Sequence, residues 1–309
     1  MKILGHIHTY NDEDVINSSL ASLLRQTYPV DKIVIVDNAS TDRTLQRAFP
    51  DQVTIIRHSE NLGTSGAVVS GMKYALDYDY DWIWIFDADS APCPDALEQL
   101  LNFYHTLSAS EQKKVQRLCS LGIDAGDERA YPGIIFTPYG YEQVRLSSVL
   151  DAYQCHGLIW SGSLFQVDTV RKLGLPSEDY VLDWGEFEYG YQSMRRGFTT
   201  YVVPSSQFQH NIGILKSPSR SFIISLGPFS FTLTHLPPIR LYYLIRNTLY
   251  FWLHVYHHRS LRFYLQVFKN TAWAPKYVLK ALILGRWKDC LACLRGMWDG
   301  VSGNMRQRY

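Results

Sequence analysis

The sequence predicts an α/β fold, a doubly wound, mostly parallel sheet between helices, followed by a basic helical region. Three observations carry that prediction. Short apolar runs alternate with segments of helical period through the first two hundred residues. Carboxylates, amides and small polar residues follow the ends of those runs. Charge then divides along the chain: residues 1–215 hold 16 Lys and Arg against 27 Asp and Glu (−11), and residues 216–309 hold 14 against 2 (+12). The expected division is therefore a catalytic or binding domain over 1–215 and a separate region over 216–309, with different partners.

Element by element, "KILGHIH" is a short apolar strand. "TYNDED" is a turn and helix start, after which Val15, Ile16, Leu20, Leu23 and Leu24 recur at helical spacing. "KIVIV" (32–36) is a second strand ending at Asp37 in "DNASTDRT", where Ser40, Thr41 or Asp42 can cap a following helix. "VTIIR" (53–57) is a third strand, and "NLGTSGA" opens a helix running to about Tyr78. "WIWIF" (82–86) is the fourth, with five large apolar side chains that read as buried on both faces. Ligands of such sheets bind beyond the carboxyl ends of the strands. Thr9 to Asn11, Asp37 to Asn38, Asn61 to Gly66 and Asp87 to Asp89 are accordingly expected along one edge. Between about 107 and 155 the pattern weakens, and "GIDAGDERAYPG" and "TPYGYEQVRLS" read as mobile loops. "GLIWSGSLFQV" restores it, "EDYVLDWGEFEYGYQSMRRG" leads to the strand "TTYVV", and from about 216 the chain reads as helical, aromatic and basic.

Composition narrows the classes. With 309 residues, 46% hydrophobic and 19% charged, the chain is globular. Its five cysteines show no framework spacing, which suits a reducing compartment. Cys290 and Cys293 form one CxxC in a helix-like run without a second pair, so neither zinc nor redox chemistry is expected. "MKILGHIHTY" lacks the apolar core of a signal peptide. The uncharged stretch 221–239 contains Gly-Pro and Pro-Pro, against a spanning helix. The expected location is cytoplasmic. The basic tail interleaves Lys and Arg with Tyr, Phe and Trp at helical spacing, as in "RLYYLIRNTLYFWLHVY", which suits a peripheral contact with the inner face of a membrane. The competing reading is a helical subdomain packed on the sheet domain or on a second subunit in a homodimer. Nucleic acid is not an expected partner.

Asp87 and Asp89, set down together at the end of a buried strand, suit a hard divalent cation, Mg2+ or Mn2+, shared with substrate phosphates. The bland alternative is a solvated turn and helix cap. "NLGTSGA", with Gly63 and Gly66, offers backbone N–H groups at a helix start to a phosphate or close-packed ligand. Asp37, with Asn38 beside it, is placed to accept hydrogen bonds from a ribose or a base. In "LDWGEFEYGYQSMRRG", a helix over 185–196 puts Glu186 near its N-terminus, where a carboxylate is stabilised and can serve as a general base. The alternative there is acid enrichment for capping alone. His210 in "QHNIG" is either structural or completes the metal shell or meets a diphosphate.

Taken together, "TYN", "VDNASTD", "NLGTSGA", the "DAD" of "WIWIFDADS", "WSGSLF", "DWGEFEYG" and "QHNIG" resemble the inverting family 2 glycosyltransferases of the GT-A fold, across nearly the whole chain. "NLGTSGA", "YYLIRN" and the closing "DGVSGN" look most like bacterial rhamnosyltransferases, with galactofuranosyltransferases next. The resemblance implies a nucleotide-sugar donor (dTDP-rhamnose, or alternatively a UDP-sugar) and a glycan or lipid-linked acceptor. It implies that Asp37 recognises the nucleotide with Thr9, Asn11 and Asn61, and that Asp87 and Asp89 hold the metal against the diphosphate. Trp160, Ser161 and Gly162 would lie near the transferred sugar or the acceptor. Glu186 stands where the family usually has an aspartate base, and Gly185 where it often has an acid, so Glu188 and Asp183 remain alternatives for the base. Ala88 interrupts a run that is often three aspartates, with both outer carboxylates kept.

Overall fold

In the computed structural model, which describes residues 1–145, 151–211, 221–226, 229–234, 237–256, 261–283 and 285–306, the chain forms two units. The first comprises Met1–Thr137, Tyr141–Val181 and Gly185–Gly213; the second comprises Pro138–Gly140, Leu182–Trp184 and Ile214–Tyr309. The boundary expected at 215–216 lies outside the described residues.

The first unit runs β1 (Ile3–Thr9), α1 (Ile16–Leu24), β2 (Lys32–Asp37), β3 (Val53–Arg57), α2 (Gly63–Asp77), β4 (Trp82–Asp87) and the short β5 (Ala91–Pro92). It continues with α3 (Ala96–Thr106), α4 (Ala109–Gln112), β6 (Val115–Asp124), β7 (Ile134–Thr137), β8 (Gly140–Gln143), β9 (Tyr153–Cys155), β10 (Ser163–Gln166), α5 (Val167–Leu173), α6 (Gly185–Arg195) and β11 (Thr199–His210). The sheet order is β3-β2-β1-β4-β10-β6-β11-β5, with β9 on β11. The first four strands are mutually parallel. β10 runs antiparallel to both β4 and β6, and β11 is parallel to β6. The parallel sheet expected from alternation is therefore its N-terminal half, and the other half is mixed.

β4 shows why five consecutive apolar residues form a strand here. Trp84 and Phe86 pack on one face with Ile3, Ile7, Leu20 of α1 and Leu100 of α3. Ile83 and Ile85 pack on the other with Val68 and Met72 of α2 and Val170 of α5. Each such side chain contributes about 1.5–3 kcal/mol when fully buried, so β4 is fixed from both sides. Three sequence expectations fail in this unit or beyond it. No helix follows β2: Ser40 Oγ accepts from the Asn11 N–H, the Thr41 N–H donates to Asn11 Oδ1, and Asp42 accepts from the Glu13 N–H. Part of the expected loop at 122–133 is the end of the ten-residue β6, and Ile134–Thr137 with Gly140–Gln143 form a two-stranded sheet. Leu146 and Ser147 of "TPYGYEQVRLS" lie outside the described residues.

The second unit contains β12 (Ser221–Leu226) and β13 (Phe229–Thr234), an antiparallel pair where the sequence reads as helical. Then come α7 (Pro238–Tyr250), a π-helical turn over Phe251–Val255, α8 (Leu261–Thr271), α9 (Trp273–Ile283) and α10 (Trp287–Ser302). Cys290 and Cys293 are buried free thiols within α10. Among the described residues no helix is long and apolar enough to cross a membrane.

Candidate metal and nucleotide site

The parallel register sets the strand ends level: Thr9 pairs with Asp37, and His8 with Asp87. Asp87 is held on both carboxylate oxygens. His8 Nε2 pairs with Oδ1, and the Ser161 hydroxyl donates to Oδ2 at 2.6 Å while accepting from the Asp87 N–H at 2.8 Å. Ser90 Oγ then lies 3.1 Å from Ser161 Oγ and 2.7 Å from His210 Nδ1. His210 Nδ1 is 3.6 Å from Asp89 Oδ1 and 4.0 Å from Asp87 Oδ2. Asp87, Asp89 and His210 each offer a ligand atom, all within 4.8 Å of one another. Two carboxylate oxygens and an imidazole nitrogen on a preorganised strand end fit a divalent cation.

The electrostatics agree with that fit. Burial disfavours charge on His8, but the neighbouring Asp87 carboxylate outweighs it and raises the imidazole pKa above its ordinary value. Burial likewise opposes ionisation of Asp87, yet His8 holds its carboxyl well below the usual range. Asp89 is pushed up to about 6, first by burial and then by repulsion from Asp87. One carboxylate is thus neutralised by the protein and the other is left in want of positive charge. His6, beneath them on β1, is fully buried, and burial followed by repulsion from His8 lowers its pKa to about 3. Its Nε2 lies 3.2 Å from the Ala67 carbonyl. A Cβ on Gly71 would come 2.2 Å from that ring, so α2 packs against β1 only with glycine there.

Beside this cluster, Asp37 is completely buried, accepts from the Ser40 N–H and pairs with Arg57 Nε at 3.3 Å. Asn38 donates to the Gly63 carbonyl at 3.0 Å and meets His58 Nδ1 at 2.9 Å. Asn11, in the left-handed region at φ 58°, accepts from Thr41 N–H at 2.8 Å. Asp12 accepts from the Thr9 hydroxyl and the Tyr10 N–H, both at 2.9 Å. Ser40 Oγ accepts from the Asn11 N–H at 2.9 Å and Asp42 Oδ2 from the Glu13 N–H at 3.2 Å, so loop-to-loop bonds occupy side-chain oxygens that would otherwise cap a helix after β2. Asn61 Oδ1 accepts from Gly63 N–H at 2.8 Å. Gly63 has φ +71°, with the Val181 carbonyl where a side chain would stand. Gly66 is the fourth residue of α2.

The base candidates divide. Glu186 and Glu188 lie in the first turn of α6. Glu186 is half-buried. Burial raises the pKa of Glu188, and the Gln192 amide at 3.1 Å opposes the rise. A Cβ on Gly185 would stand 2.3 Å from Ser65 Oγ, so a side chain there requires that hydroxyl to turn away. Asp183 belongs to the second unit, 3.5 Å from Arg240. Trp160 packs its indole among Phe165 and Tyr189 in the core. Gly162, at φ +76° against the Phe208 ring, completes the turn that aims Ser161 at Asp87. The sequence reading missed His8, Ser90, Asp12, Arg57 and His58. His8 had a signal, since an imidazole in an otherwise apolar buried strand needs a partner. In "QHNIG", Ile212 and Gly213 lie outside the described residues.

Residues 6–110 match the model of glycosyl transferase family 2, which makes that segment a glycosyltransferase domain of an enzyme family. A galactofuranosyltransferase of Mycolicibacterium smegmatis is 27% identical over 213 residues, 66% of this chain and 69% of its own length. A dTDP-rhamnosyl transferase of Shigella flexneri is 24% identical, over 79% of this chain and 78% of its own. The chain spans from 38% to 78% of the curated relatives it matches. Residues 1–349 of S. aureus TarS share the fold, with TM-score 0.57, 13% identity and coverage of 98% of this chain and 83% of that one. The mixed α/β sheet is thus similar to GT-A glycosyltransferase structures.

Proposed function

We propose that this protein is an inverting, metal-dependent glycosyltransferase that moves rhamnose from dTDP-rhamnose to a hydroxyl of a growing cell-surface glycan or lipid-linked acceptor. The observation carrying the reading is the level edge on which Asp87, Asp89 and His210 converge beside the buried Asp37. Asp37, Asn38, Thr9, Asn11 and Asn61 bind the nucleoside, and the start of α2 at Gly63 to Gly66 adjoins them. Mg2+ or Mn2+ held by Asp87, Asp89 and His210 would act as a Lewis acid on the donor diphosphate. His8 and Ser161 orient Asp87. Glu186 accepts the acceptor hydroxyl proton as that oxygen bonds to the anomeric carbon. The bond from that carbon to the diphosphate breaks, its electron pair leaving with the nucleoside diphosphate, and the configuration inverts.

A second donor reading, a UDP-sugar carrying galactofuranose, is favoured by the higher identity to the M. smegmatis enzyme. Rhamnose rests on the longer span shared with the Shigella enzyme. Thermal melting with dTDP, UDP and GDP, each with and without Mn2+, separates them. A manganese-dependent stabilisation of about 3 kcal/mol at a hundredfold excess over Kd by dTDP is the expected result. The same response to UDP alone moves the assignment to the second donor, and silence with all three overturns the transferase reading.

A further inference from the structure

Helix α10 is amphipathic in the reverse of the usual sense. Its inward face carries Asp289, Cys290, Ala292, Cys293, Gly296, Asp299 and Gly300, small or acidic residues that are all buried. Its outward face carries Trp287, Leu291, Leu294, Trp298 and Val301, every one exposed, with the two tryptophans at 69% and 72%. Those five recur at i, i+4, i+7, i+11 and i+14, a continuous stripe along the helix. Helix α8 also exposes Leu261, Leu265 and Phe268 while burying Phe263 and Val267, and α9 exposes Leu279, Leu282 and Ile283. An outward stripe of this length on three helices is more than isolated exposed apolar residues explain.

Charge selects the occupant. Residues 216–309 hold two acidic side chains, and both are buried: Asp289 beside Arg286 and Asp299 accepting from Tyr242. Lys288 and Arg295 are exposed on α10 next to the stripe. A second copy laid against this face would bring basic side chains together with no carboxylate from 216–309 to pair them. An anionic surface would neutralise them. Paired tryptophans flanked by lysine and arginine are moreover the side chains that settle at a bilayer interface. Phe268 also lines a mostly apolar cavity of about 170 Å3 with Ile245, Leu249, Ala274 and Met297.

We infer that the outward stripes of α8, α9 and α10 form a docking surface for an anionic lipid bilayer, on which the second unit lies without crossing. Because no helix among the described residues can span, the attachment is interfacial and reversible. The inference stands on the second unit alone and holds whatever sugar the first unit handles.

Flotation of the full chain with phosphatidylcholine vesicles, with and without phosphatidylglycerol, tests it. Partition onto the phosphatidylglycerol vesicles should exceed that onto neutral ones by about tenfold and fall as salt is raised. Trp287→Ser/Trp298→Ser should lower binding to anionic vesicles by about tenfold or more. Lys288→Glu/Arg295→Glu should remove the preference for anionic vesicles. All these side chains are exposed, so both variants should melt as the parent does. Failure to float, or flotation unaffected by the tryptophan substitutions, overturns the proposal. So does a dimer in sedimentation velocity that the tryptophan variant dissociates while no vesicle binds, which would assign the face to a second copy.

Discussion

Each unit has a buried polar cluster, and the two are built on opposite rules. In the second unit, Arg246 is fully buried, stacks on Tyr243 and Tyr242, and donates to the Met305 carbonyl and to Asn247. Asn247 in turn donates to the carbonyls of Leu182 and Asp183 at 2.6 and 3.0 Å. Asp299 accepts from Tyr242 and Asn304. These groups satisfy one another and are closed to water. In the first unit, Asp87 and Asp89 keep 30% of their side-chain surface open, and the protein supplies enough positive charge for only one of them. A closed, satisfied cluster fixes a conformation, whereas an open one short of charge is a place for a ligand. The "YYLIRN" and "DGVSGN" motifs thus belong to architecture. Their work includes holding Asp183 and Trp184, both in the left-handed region at φ 58° and 72°.

The comparison breaks most visibly at Asp89. Asp89→Ala should lower turnover by about a thousandfold, the scale of losing a preorganised charge contact to a leaving group, and should abolish the Mn2+-dependent thermal shift. The metal-free melting temperature should not fall. A lower melting temperature with turnover intact would mean that the cluster is structural, like the one around Arg246. Glu186→Gln sharpens the assignment within the first unit. It should cost about a hundredfold or more in turnover while the manganese-dependent nucleotide shift survives. If Glu188→Gln produces that pattern instead, the base is Glu188.

How far the sequence reached follows the same division. The strand ends were legible because β1, β2 and β4 are apolar runs that local pattern alone identifies. What escaped depends on pairing. β6 reads "VQRLCSLGID", with Gln116, Arg117 and Ser120 inside. That makes sense only once β10 brings Phe165 under the Arg117 guanidinium and the Leu158 carbonyl accepts from it at 3.2 Å. The missing helix after β2 escaped because Asn11, thirty residues earlier, takes the Thr41 N–H. His8 was visible as a residue but acquires its role from register with Asp87, which periodicity does not encode. Asp183, a candidate base by proximity in sequence, falls in the second unit while Glu186 and Glu188 fall in the first.

The closed cluster makes the next largest prediction. Asn247→Ala strands two carbonyls and opens a void, so it should cost about 2–3 kcal/mol in denaturant melts. The Mn2+-dependent nucleotide shift, measured on the fraction still folded, should remain. Loss of that shift with stability unchanged would mean that the second unit's cluster serves the ligand directly, and the contrast drawn above would collapse.

The smallest effect has the most diagnostic sign. Asp89 has a folded-state pKa of about 6, raised above its ordinary value by burial and by Asp87. The folded protein therefore holds that proton more tightly than the unfolded chain does. Metal-free stability from this group is fully present below the ordinary carboxylate pKa and is lost as pH rises through about 6. At pH 7–8 the ionised Asp89 opposes folding, and Asp89→Asn should raise metal-free stability by about 1–2 kcal/mol once solvent screening is allowed for. At pH 3.5 the gain should vanish. Manganese should invert the order, stabilising the parent and leaving the variant unmoved. On the proposed reading the open cluster differs from the closed one in that a bound cation would relieve its strain. A variant no more stable than the parent at pH 8 would show that Asp89 is already satisfied, as Asp299 is.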